Sequence, residues 1–367
     1  MKVFLPGTAG GAGWPEPGCR CASCGRLPAG RRRPFEAIVD GAVRLPCHSP
    51  PSGYRAFGEG HGLEGPDGTR VLYAPSGHPT GLPGTGLSET AGGRGRCDLL
   101  LIDLLDRPER LGLLRREGIA DGDTLVVAVG LDHRVRSEEE LARRLALWGA
   151  RAVPDGTTLD TAHRSAGARP ERTVPGVTPV GRPEGTVSGV TPVGRPWREL
   201  VLGGTRSGKS AEAELRLAAE PYVTYVATGP GGEGDAEWAA RISAHRRRRP
   251  AHWATLETTD LAGAVRDATT PLLVDGLGTW LAAVFDEHGA WEGDRAAVRR
   301  RCDELVAAWR GARCRVVAVS DEVGMGVVPA TPSGRMFRDA LGRLNERLAA
   351  ESEDVALVVA GRLVPLP

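Results

Sequence analysis

The stretch from Arg198 to Glu212, Arg-Glu-Leu-Val-Leu-Gly-Gly-Thr-Arg-Ser-Gly-Lys-Ser-Ala-Glu, constrains this chain more than any other. Leu200, Val201 and Leu202 form a short apolar run of the length expected for a buried strand. It passes directly into Gly203, Gly204, Thr205, Arg206, Ser207, Gly208, Lys209 and Ser210, and then into helix-forming residues. Strand, glycine loop and helix in that order are what a phosphate-binding loop requires. The glycines let backbone N–H groups turn toward phosphate oxygens, and the helix adds the positive end of its dipole. Lys209 reaches the outer phosphates and Ser210 can hold Mg²⁺. Lys209 and Lys2 are the only lysines in a chain whose other cations are arginines. A compact ammonium fits between phosphates where a planar guanidinium does not.

The chain has 367 residues, enough for two domains with separate cores. Lys plus Arg number 47 against 46 for Asp plus Glu, so net charge gives no sign of a nucleic-acid partner. No apolar run reaches the roughly 20 residues of a membrane span, and the N-terminal apolar run breaks at Pro6. Seven cysteines, an odd number with Cys19, Cys21 and Cys24 crowded together, suit a reducing compartment better than a disulfide framework. The expected location is the cytoplasm.

In the first half, Val3 to Leu5, Ala37 to Val39, Asp98 to Asp103 and Thr124 to Gly130 read as strands. Ser137 to Leu147 reads as an amphipathic helix opened by Ser137-Glu-Glu-Glu140. The expectation is a separate small N-terminal domain, α/β or sandwich-like, over residues 1–162. Cys19, Cys21 and Cys24 can give three thiolates to a structural Zn²⁺, although no fourth ligand is evident and free loop cysteines are the plainer alternative. His133, after Asp132, reads as a satisfied loop residue.

The opening forty or so residues, with Gly7-Thr8 followed by Cys19-x-Cys21-x2-Cys24, resemble the phosphodiesterase branch of the metallo-β-lactamase fold. That family's His-x-His-x-Asp-His run does not occur here: His48, His61, His78, His133 and His163 stand singly. The resemblance therefore implies a degenerate domain without hydrolytic activity.

Residues 163–196 turn to Pro, Gly, Thr, Val and Arg, and Gly-Val-Thr-Pro-Val-Gly-Arg-Pro occurs twice, at 176–183 and 189–196. Repeated proline blocks helix and central strand, so this segment is expected to be an extended linker.

Residues 197–367 alternate apolar strands with helices. Tyr222 to Ala227, Pro271 to Asp275, Arg315 to Ser320 and Val355 to Ala360 are the strands; Ser210 to Ala219, Ala236 to Arg248, Arg295 to Arg310 and Gly334 to Ser352 are the helices. This pattern specifies a mostly parallel sheet covered on both faces, a RecA-like P-loop NTPase fold, with ligands at the strands' C-terminal edge. Asp275 ends its strand where a Walker-B-type carboxylate would serve Mg²⁺. His245 adjoins Arg246, Arg247, Arg248 and Arg249, a run that reads either as a solvated face or as a triphosphate clamp. His252 reads as structural and His288 as solvent-exposed. Asp321-Glu-Val-Gly-Met-Gly326 reads as a loop near substrate or as a glycine-rich turn.

Several blocks resemble the bifunctional adenosylcobinamide kinase/adenosylcobinamide-phosphate guanylyltransferase family. They are Gly203 to Ser210, Tyr225 to Thr228, Asp235 to Ile242, His245 through Pro250 to Trp253 and Glu257, Asp321 to Pro329, and Gly334 to Asp339 followed by Gly342 to Ala349. The resemblance implies phosphorylation of adenosylcobinamide by ATP or GTP. It further implies GMP transfer from GTP to adenosylcobinamide phosphate, with His245 as the nucleophile that carries GMP. It places Thr228, Gly229, Pro230, Arg246 to Arg249, Glu257 and Asp275 at positions that contact the nucleotide or its Mg²⁺. It also implies a homo-oligomer, with a trimer as the expected count. Ala244 stands where some relatives carry a second histidine, and Asp321 and Glu346 stand where Asn and Gln are expected; residue chemistry alone assigns these two no role. The competing readings are a simple P-loop small-molecule kinase, in which His245 is a helix-surface residue, and a non-catalytic nucleotide-binding module.

Overall fold

Successive residues of a strand point to opposite faces of a sheet, so Leu200 and Leu202 must find a different core from Val201. A computed structural model describes residues 1–76, 95–161, 196–229 and 249–366. These residues form two compact units, chiefly residues 1–161 and residues 196–366. The repeated Pro-rich segment through Arg195 and the helix expected from Ala236 to Arg248 lie outside the described residues.

In the first unit β1 (Lys2–Gly7), β2 (Glu36–Val39) and β3 (Val43–Leu45) begin an antiparallel sheet. A second sheet runs in chain order through β4 (Arg55–Phe57), β5 (Gly62–Glu64), β6 (Arg70–Ala74), β7 (Leu99–Ile102) and β8 (Leu125–Ala128), with its last three strands parallel. β9 (Thr157–Asp160) then returns to β1, giving the order β3-β2-β1-β9. Val3 and Leu5 of β1 share one core with Leu63, Val71, Leu99, Leu101 and Val127 of the other sheet, so the two sheets pack face to face. Leu100 and Ile102, on the opposite side of β7, are also buried, which is why β7 reads as an unbroken apolar run. Helices α1 (Glu109–Arg116) and α2 (Glu138–Leu147) follow β7 and β8. The expected helix at Ser137 begins as its sequence indicates, with the Ser137 hydroxyl accepting the Glu140 N–H at 3.2 Å.

The second unit follows the order β10 (Trp197–Gly203), α3 (Lys209–Leu217), β11 (Thr224–Ala227), β12 (Ala254–Glu257), α4 (Leu261–Arg266), β13 (Leu272–Asp275), α5 (Leu277–Glu287), α6 (Ala296–Arg310), β14 (Arg315–Asp321), α7 (Pro332–Ala349), β15 (Asp354–Val359) and β16 (Arg362–Leu366). Its seven-stranded sheet runs β12-β11-β13-β14-β10-β15-β16, parallel except for β16. Leu200, Leu202, Val274, Val316 and Ala318 pack with α4, α5, α6 and α7 on one face. Val201, Leu273, Val317 and Val319 pack with Ala213 and Leu217 of α3 on the other. The alternating strand residues thus supply both layers of core, and the expected mostly parallel, doubly covered sheet is present. β10 lies between β14 and β15, strands from the far end of the unit, so its C-terminal loop opens at a reversal of strand order, where ligands bind in such sheets.

Candidate active site

The phosphate loop is shaped by its glycines. A Cβ on Gly203 would lie 2.4 Å from Ser207 Oγ and 2.8 Å from the Val358 carbonyl oxygen, so no larger residue fits where β10 ends. Gly208 has φ +98, a left-handed geometry that other residues rarely adopt, and a Cβ added there would lie 3.4 Å from Gly361 Cα. Arg206 also takes a left-handed φ of 57. The loop is tied down by Gly361 N–H donating to the Ser207 carbonyl at 2.7 Å and by Ser207 N–H donating to Gly204 at 3.2 Å. Gly204, Thr205 and Arg206 remain exposed at its crest.

At the start of α3 two consecutive side chains each meet a carboxylate from a strand end. Lys209, nearly buried, places Nζ 2.8 Å from Asp321 Oδ1 and donates to the Gly204 carbonyl at 3.1 Å. Ser210 Oγ donates to Asp275 Oδ1 at 3.2 Å. Parallel pairing of β13 with β14, and of β14 with β10, brings Asp275 and Asp321 to the same sheet edge as Gly203. Asp275 also accepts from the Tyr225 hydroxyl at 3.1 Å. Burial and then this carboxylate push the Tyr225 phenol well above its ordinary range, so it stays a donor. The ring of Tyr225 carries the Arg249 guanidinium 3.6 Å from its centroid. Thr228, buried after β11, donates through its hydroxyl to Gly276 at 2.9 Å, beside Asp275.

Ser210 and Asp275 offer a hydroxyl and a carboxylate within one hydrogen bond of each other, next to Lys209 in sequence and fold. An all-oxygen donor set of this kind fits Mg²⁺. On the far side of β11, Ala227 pairs with Glu257 of β12 as it does with Asp275 of β13, so Glu257 reaches the same edge. Glu257 lines a cavity of about 400 Å³ with Arg249, Pro250, Ala251, Trp253 and Thr255.

The structure thus brings Lys209, Ser210 and Asp275 together and sets Thr228, Arg249 and Glu257 along the same edge. Pro230, His245, Arg246, Arg247 and Arg248 lie outside the described residues. Sequence reading left Asp321 without a role, and the structure gives it Lys209; the available signal was that, like Asp275, it closes an apolar strand. Glu346 sits exposed on α7. His288, expected to be solvent-exposed, is half-buried, because it caps α5 and its N–H donates to Val284 at 3.3 Å.

In the first unit the three clustered cysteines have a fourth neighbour. The ligand atoms of Cys19, Cys21, Cys24 and His133 all lie within 4.8 Å of one another, and His133 Nδ1 is 3.5 Å from both Cys19 Sγ and Cys24 Sγ. A tetrahedral zinc with Zn–S near 2.3 Å and Zn–N near 2.1 Å has an S–N edge of about 3.6 Å, so the donors fit. Burial pushes the Cys24 thiol up to about 11, whereas the Cys24 N–H holds the Cys21 thiol below its ordinary value. His133, which sequence context reads as a satisfied loop residue, has these thiols as its neighbours. It also lies 3.2 Å from Glu16 Oε2.

Residues 199–366 match the profile of the family described as cobinamide kinase / cobinamide phosphate guanyltransferase. The bifunctional adenosylcobalamin biosynthesis protein CobP of Pseudomonas aeruginosa is 42% identical over 177 residues, which cover 46% of this chain and 96% of that protein. CobU of Salmonella typhimurium, with the same description, is 42% identical over 177 residues, covering 44% and 95%. Among solved structures, a type III secretion ATPase aligns with 44% of this chain and 50% of its own at 12% identity and a TM-score of 0.30. Through its C-terminal unit, this chain belongs to the cobinamide kinase / cobinamide phosphate guanyltransferase family.

Proposed function

We propose that residues 197–367 phosphorylate adenosylcobinamide with ATP or GTP and then transfer GMP from GTP to the phosphate so formed, giving adenosylcobinamide-GDP. The observation that carries this reading is the meeting of Lys209 and Ser210, at the end of the phosphate loop, with Asp275 at the end of β13, within the segment that spans nearly the whole length of its relatives. Lys209 holds the outer phosphates, and the loop's N–H groups cradle them. Mg²⁺, held by Ser210 and Asp275, would neutralise phosphate charge. Arg249 and Glu257, with Thr228, Gly229 and Pro230, hold the rest of the nucleotide, and Arg246 to Arg248 assist the triphosphate.

In the transferase half, neutral His245 attacks the α-phosphorus of GTP and the bond to the β-phosphate oxygen breaks. Pyrophosphate leaves, and a phosphoramidate-linked GMP remains until the substrate phosphate displaces the imidazole. GTP labelled at its α-phosphate tests this: the chain should acquire acid-labile, base-stable label, and His245→Asn should acquire none. A simple kinase would show phosphoryl transfer without covalent GMP.

For the first unit we infer a structural Zn²⁺ held by Cys19, Cys21, Cys24 and His133. Purified protein should contain about one zinc per chain, and His133→Ala or Cys21→Ser should lose it. Metal-free protein of unchanged thermal stability would end this reading. We assign residues 1–162 to this domain, 163–196 to a linker and 197–367 to the enzyme. We also infer a cytoplasmic homo-oligomer, with a trimer expected. No described helix is long and apolar enough to cross a membrane.

A further inference from the structure

We infer that Asp321 is a counter-ion lock on Lys209: ligands that carry outer phosphates must displace it, and it recaptures the lysine when pyrophosphate or a nucleoside diphosphate departs. The inference rests on the proposed placement of outer phosphates at Lys209. It adds that a second residue sets how tightly those phosphates are held.

The lock is held in position by its backbone. Asp321 ends β14 opposite Gly203, the residue that ends the phosphate-loop strand. The next N–H, from Glu322, donates to the Gly203 carbonyl at 3.2 Å. The Asp321 carbonyl accepts from Asn345 Nδ2 at 3.1 Å, and the buried Asn345 is fixed in turn by the Ser320 hydroxyl at 2.6 Å. The carboxylate therefore cannot drift away with a loose loop. Oδ1 lies 2.8 Å from Lys209 Nζ, while Oδ2 faces the first turn of α5, where a Cβ on Gly278 would come within 2.7 Å of it.

The Ser210 hydroxyl gives Asp275 a neutral hydrogen bond, and exchanging it has a small free-energy cost. Lys209 gives Asp321 a full charge, and its side chain is only 10% exposed against 40% for Asp321. Such a pair is screened less than a surface ion pair and more than a buried one. A triphosphate or pyrophosphate at Lys209 must break this pair and then sit beside the freed negative charge. A nucleoside monophosphate has no group that reaches Lys209, so it leaves the pair intact.

The test is Asp321→Asn in the full-length chain. The amide oxygen can still accept from Lys209, but the charge is gone. Binding is measured calorimetrically with Mg²⁺ for three probes: α,β-methylene-GTP, which cannot transfer GMP, inorganic pyrophosphate, and GMP. The variant should bind the analogue and pyrophosphate roughly 5- to 10-fold more tightly and GMP within about 2-fold of the unaltered chain. An unchanged or weaker affinity for the analogue would overturn the lock and make Asp321 a supporting ligand instead. Equal tightening of all three probes would also overturn it, since that reports long-range charge rather than displacement. Binding of the analogue is independent of His245, so a failure of the histidine chemistry leaves this test readable. If the unaltered chain did not bind the analogue at all, the nucleotide site itself would fall, and the lock with it.

Discussion

Glu199 sits at the base of β10, at the opposite end of the strand from the phosphate loop, and is fully buried. It is paired with Arg216 of α3 and, at 2.7 Å, with Arg315 of β14. A buried carboxylate between two guanidinium groups fixes α3 and β14 to the strand that carries the loop. Removing it leaves two cations without their shared partner, although Arg216 keeps Asp354 at 3.3 Å. Glu199→Ala is therefore expected to cost about 3 kcal/mol of stability, read as a lowered denaturation midpoint of the full chain. A change under about 0.5 kcal/mol would show that the network is dispensable. Arg134 plays the corresponding part in the first unit, meeting buried Asp103 at 3.0 Å, Asp132 at 2.8 Å and Asp106 at 2.6 Å. Residue identity alone pointed to Lys209 and Asp275, because both follow from the local strand–loop–helix pattern. It did not expose Asp321 as the partner of Lys209, or His133 as the partner of Cys19, 114 positions away. Such pairs exist only once strands have been placed side by side.

Among elements, α2 shows how local sequence and tertiary charge act together. Ser137 caps it, Glu138 meets Arg31 at 3.0 Å and Arg32 at 2.9 Å, and Glu140 meets Arg144 at 2.6 Å. Burial alone would raise both carboxyls. For Glu138 it is outweighed by Arg31 and Arg32, and for Glu140 by the Arg136 N–H and Arg144, so both end below their usual value of 4.5. A depressed carboxyl stabilises the fold above its unfolded value, and that contribution is lost as pH falls through the lower folded value. Thermal melts of the first unit should accordingly drop as pH is lowered below about 4.5, and Glu138→Gln should flatten that dependence. Melts insensitive to pH in this window would contradict the assignment. Several of the elements that sequence reading missed lack apolar rhythm or length. β12 is exposed along its whole length, and β3, β4 and β5 span three residues each. Long central strands such as β10 and β14, buried on both faces, announced themselves.

On the scale of the whole chain, a family enzyme occupies the C-terminal unit, and a two-sheet unit with a clustered set of zinc-type donors precedes it. From sequence alone these halves are expected to part at the change in composition after residue 162. For the first half it offered α/β or sandwich-like without deciding between them, because its strands are short and their pairing partners distant. The catalytic claim of the account rests on His245 acting on a nucleotide held by Lys209, Ser210 and Asp275. The most direct measurement incubates the full-length chain and His245→Asn with α-labelled GTP and Mg²⁺, isolates the protein, and then adds adenosylcobinamide phosphate. The account predicts acid-labile label on the unaltered chain that passes to the added substrate, and none on the variant. Label retained by His245→Asn, or a native chain that turns over both substrates without ever becoming labelled, would contradict it.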